Sequence, residues 1–258
     1  SFYLGTEEVG EPSCNVPDHM RMVSMCLLAH EMTDRSRYIE LACQHGELWA
    51  SAIESETPLP AGIDERGGIY QMRGKDRASY RSFAGEAPDD LGRNLARAEN
   101  LLASGVPDAL LALWKRTGRE VCRDAAEKVI DVATEELESP IAWQVQAAVR
   151  RYREMTGSDC YDELVKAAPD ESIRCVQKLT IVPEVEEPII AGPLGMRNDK
   201  PDWLDEDGAP APSPLLIALR GLVEEDEELL TRALDLGLAH FQLAGDVFGD
   251  VTHRGCGS

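Results

Sequence analysis

Positive charge is what this chain has least of. It carries 26 Lys and Arg against 47 Asp and Glu, a formal net charge of −21. That balance argues against nonspecific partners such as DNA, RNA or anionic membranes, which are held by cations that neutralise phosphates. Long apolar runs are lacking too: none approaches the ~20 residues that span a bilayer, and the start, "SFYLGTEEVGEP", has neither an initiator Met nor an apolar signal core. The expectation is a processed or partial chain of unassigned compartment. Seven cysteines, at 14, 26, 43, 122, 160, 175 and 256, form no CxxC pair. Those at 26, 43, 122 and 160 fall in helical patterns and read as buried structural thiols, while Cys256, in "HRGCGS", stays open. No P-loop, GxGxxG, GxSxG or EF-hand loop is found, so nucleotide and serine-hydrolase readings lose their usual support and no cofactor or metal is expected.

What is there is a folded, soluble composition, 43% hydrophobic and 28% charged, and a repeat. "LLAHEMTDRSRYIELA" around Thr33, "LALWKRTGREVCRDAA" around Thr117 and "VRRYREMTGSDCYDEL" around Thr156 each place Thr with Asp or Gly between two helical runs. Gly suits the left-handed residue that ends a helix, and Asp or Ser suits the cap of the next. A degenerate fourth copy is "IALRGLVEEDEELLTRALDLGLAH", with Glu224 to Glu227 at the junction. Apolar spacing at Met22, Met25, Cys26 and Ala29, and at Ala125, Val129, Val132 and Ala133, predicts helices that bury those faces. Further degenerate helices are expected at 91–103 and 170–178, and short extended pieces at "KLTIVPEV" and "EPIIAGPL". The long connections, 55–88 and 183–213, are rich in Pro and Gly, and loops of that length are where repeat folds put their sites. The fold class is all-α, built of repeated helical hairpins, with residues 1–258 taken as one domain or part of a larger one.

The helix–turn–helix "LLAHEMTDRSRYIELACQHGELW", its copies at Thr117 and Thr156, and the loop "PLPAGIDERGGIY" resemble the (α/α) toroid enzymes, the six-hairpin glycosidase-like group that includes polysaccharide lyases and unsaturated uronyl hydrolases. The resemblance covers about two thirds of the chain and implies a toroid, or part of one, working on carbohydrate. The four hairpins seen fall short of a closed ring, which missing sequence, degenerate helices or a second copy in a homo-oligomer would complete.

One basic, aromatic stretch, "GGIYQMRGKDRASYRSF" (67–83), sets Arg73, Lys75, Arg77 and Arg81 against Asp76 alone, beside Tyr70 and Tyr80. Were the partner an acidic oligosaccharide or polysaccharide, Arg73 or Arg77 would neutralise the uronate carboxylate and acidify the proton next to it, and Tyr70 or His19 would remove that proton. Arg81 and Tyr80 would help hold the sugar. A solvated loop paired to surplus acids is the plainer reading of the same residues. His19 follows Pro17 and Asp18, with Asp18 as expected N-cap and the helix end favouring a neutral imidazole. "DVTHRGCGS" offers His253 as a further acid or base and Arg254 as a binding group. Trp203, among acids in "KPDWLDEDG", could stack on a sugar face, whereas Trp49, Trp114 and Trp143 lie in helical patterns and read as core. Asp64 and Glu65, or Asp202, Asp205 and Glu206, could serve hydrolysis as paired carboxylates. A non-catalytic helical scaffold that binds a partner is the alternative outside enzymology.

Overall fold

The structure is a computed structural model and describes residues 16–60, 62–63, 67–68, 90–140, 142–182 and 202–248. Among the described residues there are nine α-helices: α1 (Val16–Thr33), α2 (Ser36–Ser55), α3 (Asp90–Ala103), α4 (Val106–Thr117), α5 (Glu120–Ala133), α6 (Trp143–Thr156), α7 (Asp162–Ala167), α8 (Pro214–Glu224) and α9 (Glu227–Phe248). Two three-residue strands, β1 (Thr180–Val182) and β2 (Asp202–Leu204), pair antiparallel with Ile181 opposite Trp203. The all-α class stands. Closure into a toroid is not established. Contacts divide the chain into two compact units, Ser1–Glu135 with Glu154–Gly157, and Glu136–Arg153 with Ser158–Ser258.

All four repeat junctions are helix-to-helix turns, and the first two share one local mechanism. Asp34 (φ 53°) and Gly118 (φ 71°) both occupy the left-handed region directly after the helix. Their amides donate back four residues, Asp34 N to the His30 carbonyl at 2.8 Å and Gly118 N to the Trp114 carbonyl at 2.7 Å. The preceding threonine donates its hydroxyl to the carbonyl four residues before it, Thr33 to Ala29 and Thr117 to Leu113, each at 2.6 Å. Terminal carbonyls that would otherwise lack donors are thereby satisfied. The turn after α6 repeats the left-handed glycine at Gly157 (φ 72°). The expected Asp or Ser caps on the second helices are corrected: Arg35 and Arg119 occupy the cap positions of α2 and α5, and neither makes a side-chain cap bond.

In the first unit α1 packs on α4 and α2 on α5, so the hairpins stack first helix on first and second on second. The core between them holds Trp49, Ile53, Leu110, Leu113, Val129 and Ile130, all fully buried. α2 and α4 approach closely at Gly46, where an added Cβ would collide with the Leu113 Cδ2 methyl. The carbonyl end of α2 is closed by Lys128, whose ammonium donates to Ile53, Glu54 and Glu56 carbonyls at 2.7, 3.0 and 3.2 Å. The predicted helix near 91–103 is α3. It holds the segment after α2: Asn94 Oδ1 accepts the Leu59 amide at 2.7 Å, and Arg97 donates to the Leu59 carbonyl at 2.6 Å.

One face assignment reverses. α1 buries Met20 and Val23, whereas Met22, Met25, Leu28 and Met32 are exposed. The helix carries two apolar stripes, and the one with the more regular spacing faces outward. On α5 the predicted face is correct, with Ala125, Val129 and Ala133 buried.

The second unit is less regular. α8 and α9 form a hairpin drawn close at Gly221, where a Cβ would meet Leu230 Cγ at 3.0 Å. Its core is Ile217, Leu229, Ala233 and Leu236, bordered by Ile173, Val176 and Leu179. Instead of a helix over 170–178 there is a single 3-10 turn, Asp170–Ile173, because Pro169 sets an extended entry and Arg174 leaves in extended backbone. The left-handed turn recurs after α8 at Glu225 (φ 56°), and side-chain polar links add to it. Ser213 donates to Gln146 Oε1 at 2.5 Å, Gln146 Nε2 donates to the Leu137 carbonyl at 2.9 Å, and Arg220 donates to the Val165, Lys166 and Ala168 carbonyls at the end of α7.

Candidate functional site

Within the first unit the chemistry gathers at the start of α1. Pro17 lies in the first turn, a placement that tolerates its missing N–H, so the helix begins at Val16. Asp18 is therefore inside the helix rather than its cap. That places His19 one turn in, opposite α2, where His45 and Trp49 sit four residues apart on one face. The Trp49 indole N–H donates to His19 Nδ1 at 3.2 Å. His45 meets the His19 ring edge to face, with centroids 4.8 Å apart. Burial, and secondarily the His19 charge, lower the His45 pKa to about 4. Its Nε2 is sealed from solvent without a hydrogen-bond partner. With the Trp49 indole donating to it, Nδ1 of His19 is the acceptor nitrogen, and the ring hydrogen sits on Nε2. A ring held this way presents a hydrogen-bond donor rather than a basic lone pair.

The two buried thiols of this unit are inert. Burial, then the Glu47 carboxylate and Cys43, push the Cys122 thiol up to about 11. Glu47 itself pairs with Arg119. Cys43 and Cys122 are thus structural, as their pattern predicts. Cys160 is not: α6 stops at Thr156, and the thiol is exposed in the turn that follows.

Trp203 and the acids beside it belong to the second unit and do different work from that expected. Trp203 lies on β2 and stacks on His240, with centroids 4.3 Å apart and planes 4° from parallel. One indole face is therefore covered. Trp143, half-exposed at 37%, lies 5.9 Å from the same imidazole and is not core. His240 is buried, both ring nitrogens lack partners, and burial lowers its pKa to about 4.

Asp205 is fully committed. It accepts from Arg174 at 2.5 Å and from the amides of Asp207 and Ala209 at 3.0 and 2.9 Å, which together hold its carboxyl below the usual range. Glu206 accepts the amides of Gln177 and Lys178 at 3.0 and 3.2 Å, and its pKa is likewise lowered. A general acid needs a proton near neutral pH, and neither residue keeps one. This removes Asp205 and Glu206 as a hydrolytic pair.

Tyr70, Arg73, Arg77, Tyr80, Arg81, His253 and Arg254 lie outside the described residues, as do Asp64, Glu65 and Cys256. Of the sequence-predicted site residues, His19 belongs to the first unit and Trp203 to the second. Sequence reasoning missed the partnerships of His45 and His240. For His45 a signal existed, since the i, i+4 spacing to Trp49 places both on one face. Among the described residues no group of three His, Cys, Asp or Glu side chains is arranged to hold a metal ion, and no helix is long and apolar enough to cross a membrane. Comparison with protein-family models, curated proteins and solved structures finds no match to this chain.

Proposed function

We propose that this chain is the hairpin-repeat core of a carbohydrate-active enzyme that cleaves an acidic, uronate-containing polysaccharide or oligosaccharide by β-elimination. The observation that carries the reading is the stacking of first helix on first and second on second in the first unit. That is the packing a ring of hairpins requires, and His19 stands at the head of its first helix. In the proposed reaction Arg73 or Arg77 neutralises the sugar carboxylate and Tyr70 takes the adjacent proton. The bond from the β-carbon to the glycosidic oxygen breaks as the carbon–carbon double bond forms. Tyr70, entering as the phenolate, hands the proton it takes to the departing oxygen, His19 donates a hydrogen bond to the sugar, and no water is consumed. Giving Tyr70 the base role, with His19 as a hydrogen-bond donor, follows from the Trp49 bond to Nδ1.

The test is incubation with a panel of uronate polymers while the ultraviolet absorbance of the unsaturated product is followed. Absorbance should rise, and should be lost in Arg73→Ala and strongly reduced in His19→Gln. New reducing ends without absorbance would instead indicate hydrolysis, with Asp64, Glu65 and Asp202 the remaining carboxylates.

A second reading has its own observation. Met22, Met25, Leu28 and Met32 form an exposed apolar stripe along α1, and adaptable Met-rich faces suit protein partners. Silence on every sugar would favour that helical scaffold.

A further inference from the structure

A cavity of about 190 Å³ opens in the second unit between the segment after the 3-10 turn and the α8–α9 hairpin. An engineered apolar cavity of about 150 Å³ takes benzene, so this one has room for a single six-membered ring. Its apolar wall comes from Val176, Leu179, Ile217 and Leu236, an extension of the unit's core. Its polar wall holds Arg174, Arg232 and Asp235.

The two arginines differ. Arg174 is spent on Asp205 and on the Glu171 and Pro210 carbonyls. Arg232 makes one hydrogen bond, from Nη2 to the Ile173 carbonyl. Its Nε is buried without a partner, and among the described residues no carboxylate lies within ion-pair distance. In a chain with 47 acids to 26 bases, a cation beside a cavity and without an ion-pair partner among the described residues stands out. A charged guanidinium with one carbonyl acceptor is under-satisfied, and a carboxylate accepts two N–H groups at once.

We propose that this cavity binds a small monocarboxylate with an apolar, ring-sized body, its carboxylate on Arg232 and its body against Val176, Ile217 and Leu236. Asp235, three residues along the same helix, sets the charge selection. One negative charge is matched by Arg232, and a second would face Asp235, so inorganic phosphate is disfavoured. The apolar wall disfavours a heavily hydroxylated body, whose hydroxyls would lose water without gaining partners. This site does not rest on the elimination reading.

Cys175 lines the cavity with an exposed thiol, while Cys160 is exposed elsewhere in the same unit. The pair gives a reporter and an internal control. Intact protein is treated with iodoacetamide, with or without benzoate at about 10 mM, where a millimolar site would be filled. The labelling rate at each cysteine is then read by peptide mapping. Benzoate should slow Cys175 about tenfold and leave Cys160 unchanged. Benzamide, of the same shape without the charge, and inorganic phosphate, with charge but no body, should both leave Cys175 unprotected. Protection should vanish in Arg232→Met and partly return in Arg232→Lys. The proposal fails if benzoate gives no protection, if benzamide or phosphate protects as well as benzoate, or if Arg232→Met is protected like the parent. Should Arg232→Met not fold, the benzoate–benzamide contrast on the parent protein decides alone.

Discussion

The two units hold a neutral histidine each, by different means. In the first, His45 sits in a regular helical stack, edge-on to a second imidazole that is itself fixed by an indole. In the second, His240 lies flat on Trp203 with Trp143 beyond, in a region where side-chain hydrogen bonds add to a single left-handed helix-to-helix turn at Glu225. Helix packing alone positions groups well when the same hairpin recurs. Between Gly157 and α8, where the hairpin spacing lapses, arginines, an amide and a two-stranded sheet hold the backbone, and the left-handed helix-to-helix turn returns only at Glu225.

The largest expected effect breaks the regular half. Trp49→Ala removes a fully buried indole and the donor to His19, and should cost about 3–5 kcal/mol. Denaturant unfolding followed by hydrogen exchange should show protection falling first in α1, α2, α4 and α5. Equal loss of protection in α8 and α9 would erase the contrast.

Next comes acid sensitivity of the second half. The His240 pKa is about 4 when folded, against 6.5 for the ordinary side chain. Between those values the unfolded chain binds the extra proton, so stability rises with pH across that window and is lost as pH falls from 6.5 toward 4. The full contribution is about 3 kcal/mol. His240→Phe should remove about half of the slope in this window, the rest belonging to His45, whose pKa is also about 4. An unchanged slope would show that His240 titrates as it does in water.

Gly46→Ala tests the close approach of α2 to α4 and should cost about 1–3 kcal/mol, read as a drop in midpoint denaturant concentration. Smallest is an exchange between hairpin copies. Gly118→Asp forces a side chain into the left-handed region and should cost about 1 kcal/mol, whereas Asp34→Gly relieves the same strain and should stabilise by less than about 1 kcal/mol. Equal and opposite thermal shifts would show the two turns to be energetically interchangeable.

These copies also mark how far the sequence could be read. Thr33–Asp34 and Thr117–Gly118 were legible because a left-handed residue after a helix is a local requirement, written in adjacent letters. α3 and β1 were visible for the same reason, in apolar spacing and a β-branched run. The cap of α1 was misplaced because Pro17 was not used as a first-turn marker, although its missing N–H makes it one. Which stripe of α1 is buried could not be read, since Met22–Met25 and Met20–Val23 are both apolar and only the packing of α2 and α4 chooses between them. The tasks of Asp205 and Glu206 were hidden for a related reason: their partners, Arg174, Gln177 and Lys178, come from a distant segment.

The indole–imidazole stack has a spectroscopic consequence. A neutral imidazole lying against an indole leaves its emission largely intact, while an imidazolium quenches it, so the light from Trp203 is tied to the proton on His240. The chain thus carries a built-in optical gauge: as acid charges that ring, its glow should dim in step with the loosening of the β1–β2 and α9 region, with no dye attached.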